Sequence, residues 1–168
     1  MQGAAGAGSK ATYVDDVFST YLNRGTSANQ AVNNGIDVAG EGGLVWTKSR
    51  TATYDHWLFD TTRSTNFPLR SNLGNAATDV GDTYFNSFNN NGFTVGSNAS
   101  TNYSGMDFSS WTFRKTEGFF DVVTYTGNGS NRTFSHNLGT VPGMIIVKKT
   151  SDTSPWTCLL YTSDAADE

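Results

Sequence analysis

Phe108 to Arg114 reads FSSWTFR, and its alternation puts Phe108, Ser110, Thr112 and Arg114 on one face of an extended chain. A period of two is the signature of a half-buried strand. Six further runs share the character: VFSTYL (Val17–Leu22), LVWTK (Leu44–Lys48), WLFD (Trp57–Asp60), YFNSF (Tyr84–Phe88), FFDVVTY (Phe119–Tyr125) and MIIVKK (Met144–Lys149). Each is short, aromatic or β-branched, and bounded by Gly, Asn, Asp or Ser, as strands are. Between them stand turn formers. Asn34-Gly35, Asn91-Gly92 and Asn128-Gly129 suit the left-handed backbone of tight turns, and Gly42-Gly43 and Pro142-Gly143 each precede a strand. No stretch of about twelve residues carries apolar positions at helical spacing. Many short strands with turn chemistry between them predict an all-β fold, an antiparallel β-sandwich of jelly-roll or lectin-like kind.

Composition fits that fold and narrows the function. Aromatics make up 13% of the 168 residues against only 36% hydrophobic overall, so a few large side chains must build the core while Gly, Ser, Thr and Asn fill the rest. A net charge of -4 gives no electrostatic reason to bind nucleic acid or anionic lipid. No segment approaches the roughly 20 apolar residues of a membrane span. Met1–Ser9, MQGAAGAGS, lacks the charged and leucine-rich regions of a signal peptide and reads as a flexible tail or linker. The single cysteine, Cys158, cannot close a disulfide within the chain.

An internal repeat runs through the sequence. Phe18 matches Phe120, Gly25 matches Gly127, Asn29 matches Asn131, Val32 matches Phe134 and Ile36 matches Leu138. After a small length difference, Gly43-Leu44-Val45 matches Gly143-Met144-Ile145, and Lys48 matches Lys148. Both copies read as strand, turn, short strand, Gly-containing loop, strand. The first continues to about Lys115, whereas the second has little chain after Thr150. The expected organisation is therefore a flexible Gly/Ala-rich segment over 1–12, a first sandwich module over 13–117, the truncated start of a second similar module over 118–157, and a tail over 158–168. Residues after about Glu117 should be less buried than the first module, with Cys158–Glu168 unpaired.

Motifs for chemistry are sparse. His56 and His136 lie far apart and no zinc spacing exists; Asp79 and Asp82 read as a solvated turn, since the twelve-residue calcium loop is missing. No Gly-x-Ser-x-Gly elbow or phosphate-cradling loop is present. Asp15, Asp16, Asp55, Asp60 and Glu117 are available for glycoside cleavage, but nothing in the sequence pairs them. The sequence therefore predicts no catalytic residues, metal or cofactor. The densest cluster is Tyr54-Asp55-His56-Trp57-Leu58-Phe59-Asp60, with Arg63 beyond. Alternation places Asp55, Trp57 and Phe59 toward the core, and Tyr54, His56, Leu58 and Asp60 on the opposite, solvent-facing side. Aromatic rings beside polar groups are how β-sandwich lectins hold sugars, which makes His56, Asp60 and Arg63 the candidate glycan-binding residues. The alternative is an Asp60–Arg63 ion pair that pins a loop. Trp46 and Trp111, at strand centres, read as core packing.

Several segments carry a resemblance. YVDDVFSTYL (Tyr13–Leu22), NGIDVAGEGGLVWTKSR (Asn34–Arg50), LFDTTR (Leu58–Arg63), NNGFTVG (Asn90–Gly96) and WTFRKTEGFFDVVTYTGNGSNRTFSHNLGTVPGMIIVKK (Trp111–Lys149) resemble a family common in marine phage genomes. Its members are labelled structural or tail-fibre-like proteins, often with a domain of unknown function, and the resemblance runs from Tyr13 to Trp156. It implies a non-enzymatic virion protein, made in the host cytoplasm, whose partners are other virion proteins, further copies of itself and a host surface glycan. A glycan-degrading fibre domain is the alternative. On a phage origin, the Asn-x-Ser/Thr sites at Asn98, Asn102, Asn128 and Asn131 are ordinary turn residues. Where the family continues with a strand, this chain departs: CLLYTSDAADE (Cys158–Glu168) resembles a translated sequencing adapter. A natural acidic tail is the other reading.

Overall fold

The structure, a computed structural model, describes residues 12–161. The expectations for positions 1–11 and 162–168 fall outside the described residues. One helical turn, α1 (Val14–Val17), leads into β1 (Phe18–Arg24), followed by β2 (Gln30–Asn33), β3 (Gly43–Ser49), β4 (Trp57–Asp60), β5 (Leu69–Arg70), β6 (Phe85–Asn89) and β7 (Gly92–Val95). A second turn, α2 (Ala99–Asn102), precedes β8 (Asp107–Arg114), and β9 (Met144–Val147) and β10 (Thr157–Leu160) are the last elements among the described residues. The two turns are too short to leave a helical period in the sequence. Asn98 caps α2, its side chain accepting from the Ser100 N–H at 2.9 Å.

Five strands form one sheet in the order β1-β8-β3-β4-β5, and three form a second in the order β2-β7-β6. Every pairing is antiparallel. The two sheets pack face to face, so the predicted antiparallel sandwich is the observed fold. The pattern in β3 shows how the sequence selects the inner face: Gly43, Val45, Thr47 and Ser49 are buried while Leu44, Trp46 and Lys48 are half-buried. In β8 the inner face is Phe108, Ser110 and Thr112, the set its alternation marks.

The core joins Val45, Trp57 and Phe59 of the large sheet to Val32, Phe85, Phe93 and Val95 of the small one. Phe59 stacks on Phe85 across the interface with ring centroids 4.5 Å apart, and Phe85 stacks on Phe93 at 5.5 Å. Full burial of such side chains stabilises the fold by about 1.5–3 kcal/mol each. Some buried polar groups are tied in: Asn34 donates to the Thr112 hydroxyl at 2.7 Å, and Asn102 donates to the Gly96 carbonyl at 2.8 Å while accepting from the Thr26 N–H at 2.9 Å, whereas Ser110 Oγ and the Trp57 indole N–H are buried without a partner.

One turn differs from expectation. The β6–β7 hairpin turns at Asn90-Asn91, with Asn89 paired to Gly92, not at Asn91-Gly92. Gly92 is required for another reason. Its φ is 131°, and a Cβ there would sit 2.0 Å from the Val32 carbonyl oxygen, so glycine lets β2 and β7 approach.

The last two strands form a separate antiparallel hairpin with the registers Thr157↔Val147, Cys158↔Ile146, Leu159↔Ile145 and Leu160↔Met144. The β3–β4 hairpin has Trp57↔Thr47, Leu58↔Trp46, Phe59↔Val45 and Asp60↔Leu44, so each pair recurs one hundred residues on. The closing hydrogen bond recurs too: the Thr61 N–H donates to the Gly43 carbonyl at 3.0 Å, and the Tyr161 N–H to that of Gly143 at 2.9 Å. Cys158–Leu160 are therefore paired, which corrects the expectation that the chain is unpaired from Cys158.

The repeat is not reproduced throughout. Phe119–Tyr125, expected as a strand, forms only an isolated bridge between Thr116 and Phe120. Its counterpart β1 lies against β8, and the counterpart of Phe134 lies in β2 against β7. No described strand runs beside residues 119–135, so their backbone has no ladder to join; Phe120, Asp121 and Val122 are half-buried and the rest is exposed. Among the described residues after Glu117 none is buried. The segment is nonetheless anchored. The Ala77 N–H donates to the Thr150 carbonyl at 2.9 Å, and the Trp156 indole donates to the Leu73 carbonyl at 2.9 Å.

Candidate functional site

Strand β4 carries the residues singled out by the sequence, and the structure separates them. Trp57 and Phe59 are buried in the core, as alternation predicts. His56 and Asp60 lie on the outer face, but at opposite ends of the strand, about 13 Å apart at strand rise. Asp60 is not solvent-facing: its side chain is 2% exposed and that of Arg63 is 13%. The reason is the loop after β4, which folds back over it. Asp60 accepts from the backbone N–H groups of Thr62 and Arg63, both at 3.0 Å, and from Arg63 Nε at 2.7 Å and Nη2. Arg63 Nη1 in turn donates to the Phe67 carbonyl at 3.0 Å. The pair pins the loop, which is the alternative the sequence left open.

His56 stands at the other end among different neighbours. Its backbone N–H donates to Asn72 Oδ1 at 2.9 Å, Asn72 donates to Asp55 at 2.9 Å, and Arg70 lies 3.4 Å from Asp55 and over the Trp57 ring. This network fixes the entry to β4. Burial lowers the His56 pKa from its ordinary value, the Lys48 ammonium lowers it further, and Asp55 opposes them. The ring therefore remains uncharged at neutral pH and can both donate and accept.

The β3–β4–β8 register also builds an outer face that the sequence reading missed. Trp46 pairs with Leu58 on one side and with Trp111 on the other. Trp46 and Trp111 are half-buried with ring centroids 5.5 Å apart, which corrects their assignment to the core. The inner positions belong to Val45, Thr47, Ser110 and Thr112, so the tryptophans must point the other way. An indole pair with Lys48 and the neutral His56 at its border combines a flat apolar surface with hydrogen-bonding groups. Alternation puts both tryptophans on one face only once β3 and β8 are known to be neighbours, and that neighbour relation was not legible.

A concavity of about 470 Å³ opens where β8 ends, lined by Glu41, Arg114, Lys115, Glu117, Phe120, Asp121 and Asn137, among others. Asp121 is half-buried as a residue, but its carboxylate is sequestered: the side chain is 5% exposed and lies 3.1 Å from Lys115 Nζ. Burial pushes its carboxyl up, but hydrogen bonds from the Asn137 N–H, Lys115 and the Val122 N–H outweigh burial and hold the pKa below its ordinary value of 3.8. The ionised form thus belongs to the folded state. Its stabilisation is in place above about pH 4 and is lost as pH falls through the folded pKa. Asp121→Asn is expected to destabilise by about 1–3 kcal/mol and to speed amide exchange at Val122 and Asn137. Unchanged exchange at both amides would contradict this account of the cleft.

Among the described residues, no group of three or more His, Cys, Asp or Glu converges to hold a metal ion. Residues 14–166 match the model of a family described as Domain of unknown function (DUF7483). No curated protein and no solved structure matches the chain.

Proposed function

We propose, from the premise that the chain belongs to this family of unknown function, that it is a non-enzymatic structural module of a phage virion, of the tail-fibre type, that presents a weak glycan-binding face to the host surface. The phage assignment rests on the resemblance of Tyr13–Trp156. The observation that carries the display role is the hairpin repeated in one register, since serial modules of one design are how an extended appendage is built. Other virion proteins and further copies of the chain are its partners in this reading, and the virion is its location. The glycan contact belongs to the outer face of β3, β4 and β8. His56 supplies an uncharged hydrogen-bonding ring, and the Asp60–Arg63 pair holds the loop at the far end of the strand.

A glycan array probed with the full chain tests the contact. His56→Ala is expected to lower the signal several-fold with an unchanged Tm, because its ring is not part of the core. No signal from the parent chain, or an equal signal from the variant, would remove the site. The virion assignment is tested separately, by mass spectrometry of gradient-purified particles carrying the gene. Its peptides should co-purify with the particles, and their absence would end the assignment. The rival reading, a glycan-degrading domain, requires reducing sugar release that disappears on Glu117→Ala.

A further inference from the structure

We propose that the open edge of β9 is a strand-docking site, which takes an extended segment with the aromatic–hydroxyl alternation of β8 in the register β8 makes with β3. The two hairpins have the same internal register, but their surroundings differ. The second edge of β3 is filled by β8, with Leu44↔Phe113, Trp46↔Trp111 and Lys48↔Ser109. Among the described residues, strand β9 pairs with β10 alone. Because the Gly143 carbonyl bonds to Tyr161 in β10's direction, alternation turns the backbone groups of Met144 and Ile146 to the unpaired side. Those are the counterparts of Leu44 and Trp46, whose backbone groups meet β8.

The side chains point to the same occupant. Met144 and Ile146 are 57% and 56% exposed, and on the opposite face Ile145 and Leu159 are 44% and 57% exposed. A two-stranded ribbon that is apolar on both faces is marginal in water, and its unpaired edge is a template for a further strand. In the β3–β8 interface, carried one repeat along, the incoming segment lays one aromatic beside Met144 and another beside Ile146, as Phe113 and Trp111 lie beside Leu44 and Trp46. Cross-strand pairs of this kind are the favourable ones. The segment is the β8 counterpart of the same repeating design, so the proposal rests on the tandem reading and not on the glycan face. Its failure leaves the array result standing.

The test uses the full chain and a synthetic peptide with the sequence of Gly105–Thr116, GMDFSSWTFRKT. Amide exchange at Met144 and Ile146 is followed by NMR as peptide is added. Saturating peptide should slow both amides by about tenfold or more, because they move from open edge to ladder. The Ile145 and Val147 amides, already turned to β10, should change less. Met144→Pro, at the first strand position, removes the N–H aimed at the edge and should abolish the effect. No slowing, or equal slowing by a scrambled peptide, would overturn the proposal. So would protection that appears without peptide as protein concentration rises, since that result assigns the edge to a second copy pairing β9 with β9.

Discussion

Asp60→Ala is expected to destabilise the protein by about 3–5 kcal/mol, because it strands the Arg63 guanidinium under a closed loop. The expectation follows from the burial of both side chains, 2% and 13% exposed, and from the acceptor duty of the carboxylate. Asp60 receives two backbone N–H groups besides the guanidinium, so alanine leaves those donors without a partner as well. Thermal unfolding should register a fall in Tm on the order of 10 °C. Asp60→Asn keeps an acceptor for the backbone and should lose less. An alanine variant that melts within about 2 °C of the parent would show that the pair does not pin the loop, and Asp60 would return as a candidate ligand contact.

Phe59→Ala should cost a comparable amount, about 3–5 kcal/mol. Phe59 is fully buried and stacks on Phe85 at 4.5 Å, so its loss opens a void at the centre of the contact between the sheets. Phe119→Ala is the matched comparison. Phe119 is 39% exposed and rests against Phe113 with centroids 6.4 Å apart, outside the sandwich. Its removal should cost under about 1 kcal/mol by the area it buries. Chemical denaturation of the two variants would contradict the division between a packed sandwich and a lightly buried C-terminal segment if the two losses were equal or reversed.

Much of the sandwich was legible because its strands are short and bounded by turn residues. WLFD, Trp57–Asp60, is β4 residue for residue, and FSSWTFR lacks only Asp107 of β8. The failures have separate physical causes. Phe119–Tyr125 has the composition of a strand, but a strand also needs a neighbour, and composition does not report neighbours. Asp60 sits on the outer face as alternation requires; its burial comes from a loop closing over it, which a period of two cannot foresee. The face built by Trp46, Trp111, Lys48 and His56 depends on β3 lying between β4 and β8. That is a matter of sheet order, which strand composition and alternation do not report. The internal repeat marked Gly143-Met144-Ile145 as the partner of Gly43-Leu44-Val45, but the strand after Trp156 was hidden by the divergence of its residues from those of β4.

The central claim, that one hairpin design occurs twice in this chain, is tested most directly by cross-strand Hα–Hα contacts in solution. In an antiparallel pair these are shortest between residues that do not exchange hydrogen bonds. Trp46–Leu58 and Ile146–Cys158 hold that position in their two hairpins. Nuclear Overhauser spectra of the full chain should show both contacts. An Ile146 Hα that instead meets Thr157 or Leu159, or meets no residue of β10, would contradict the shared register and with it the tandem reading.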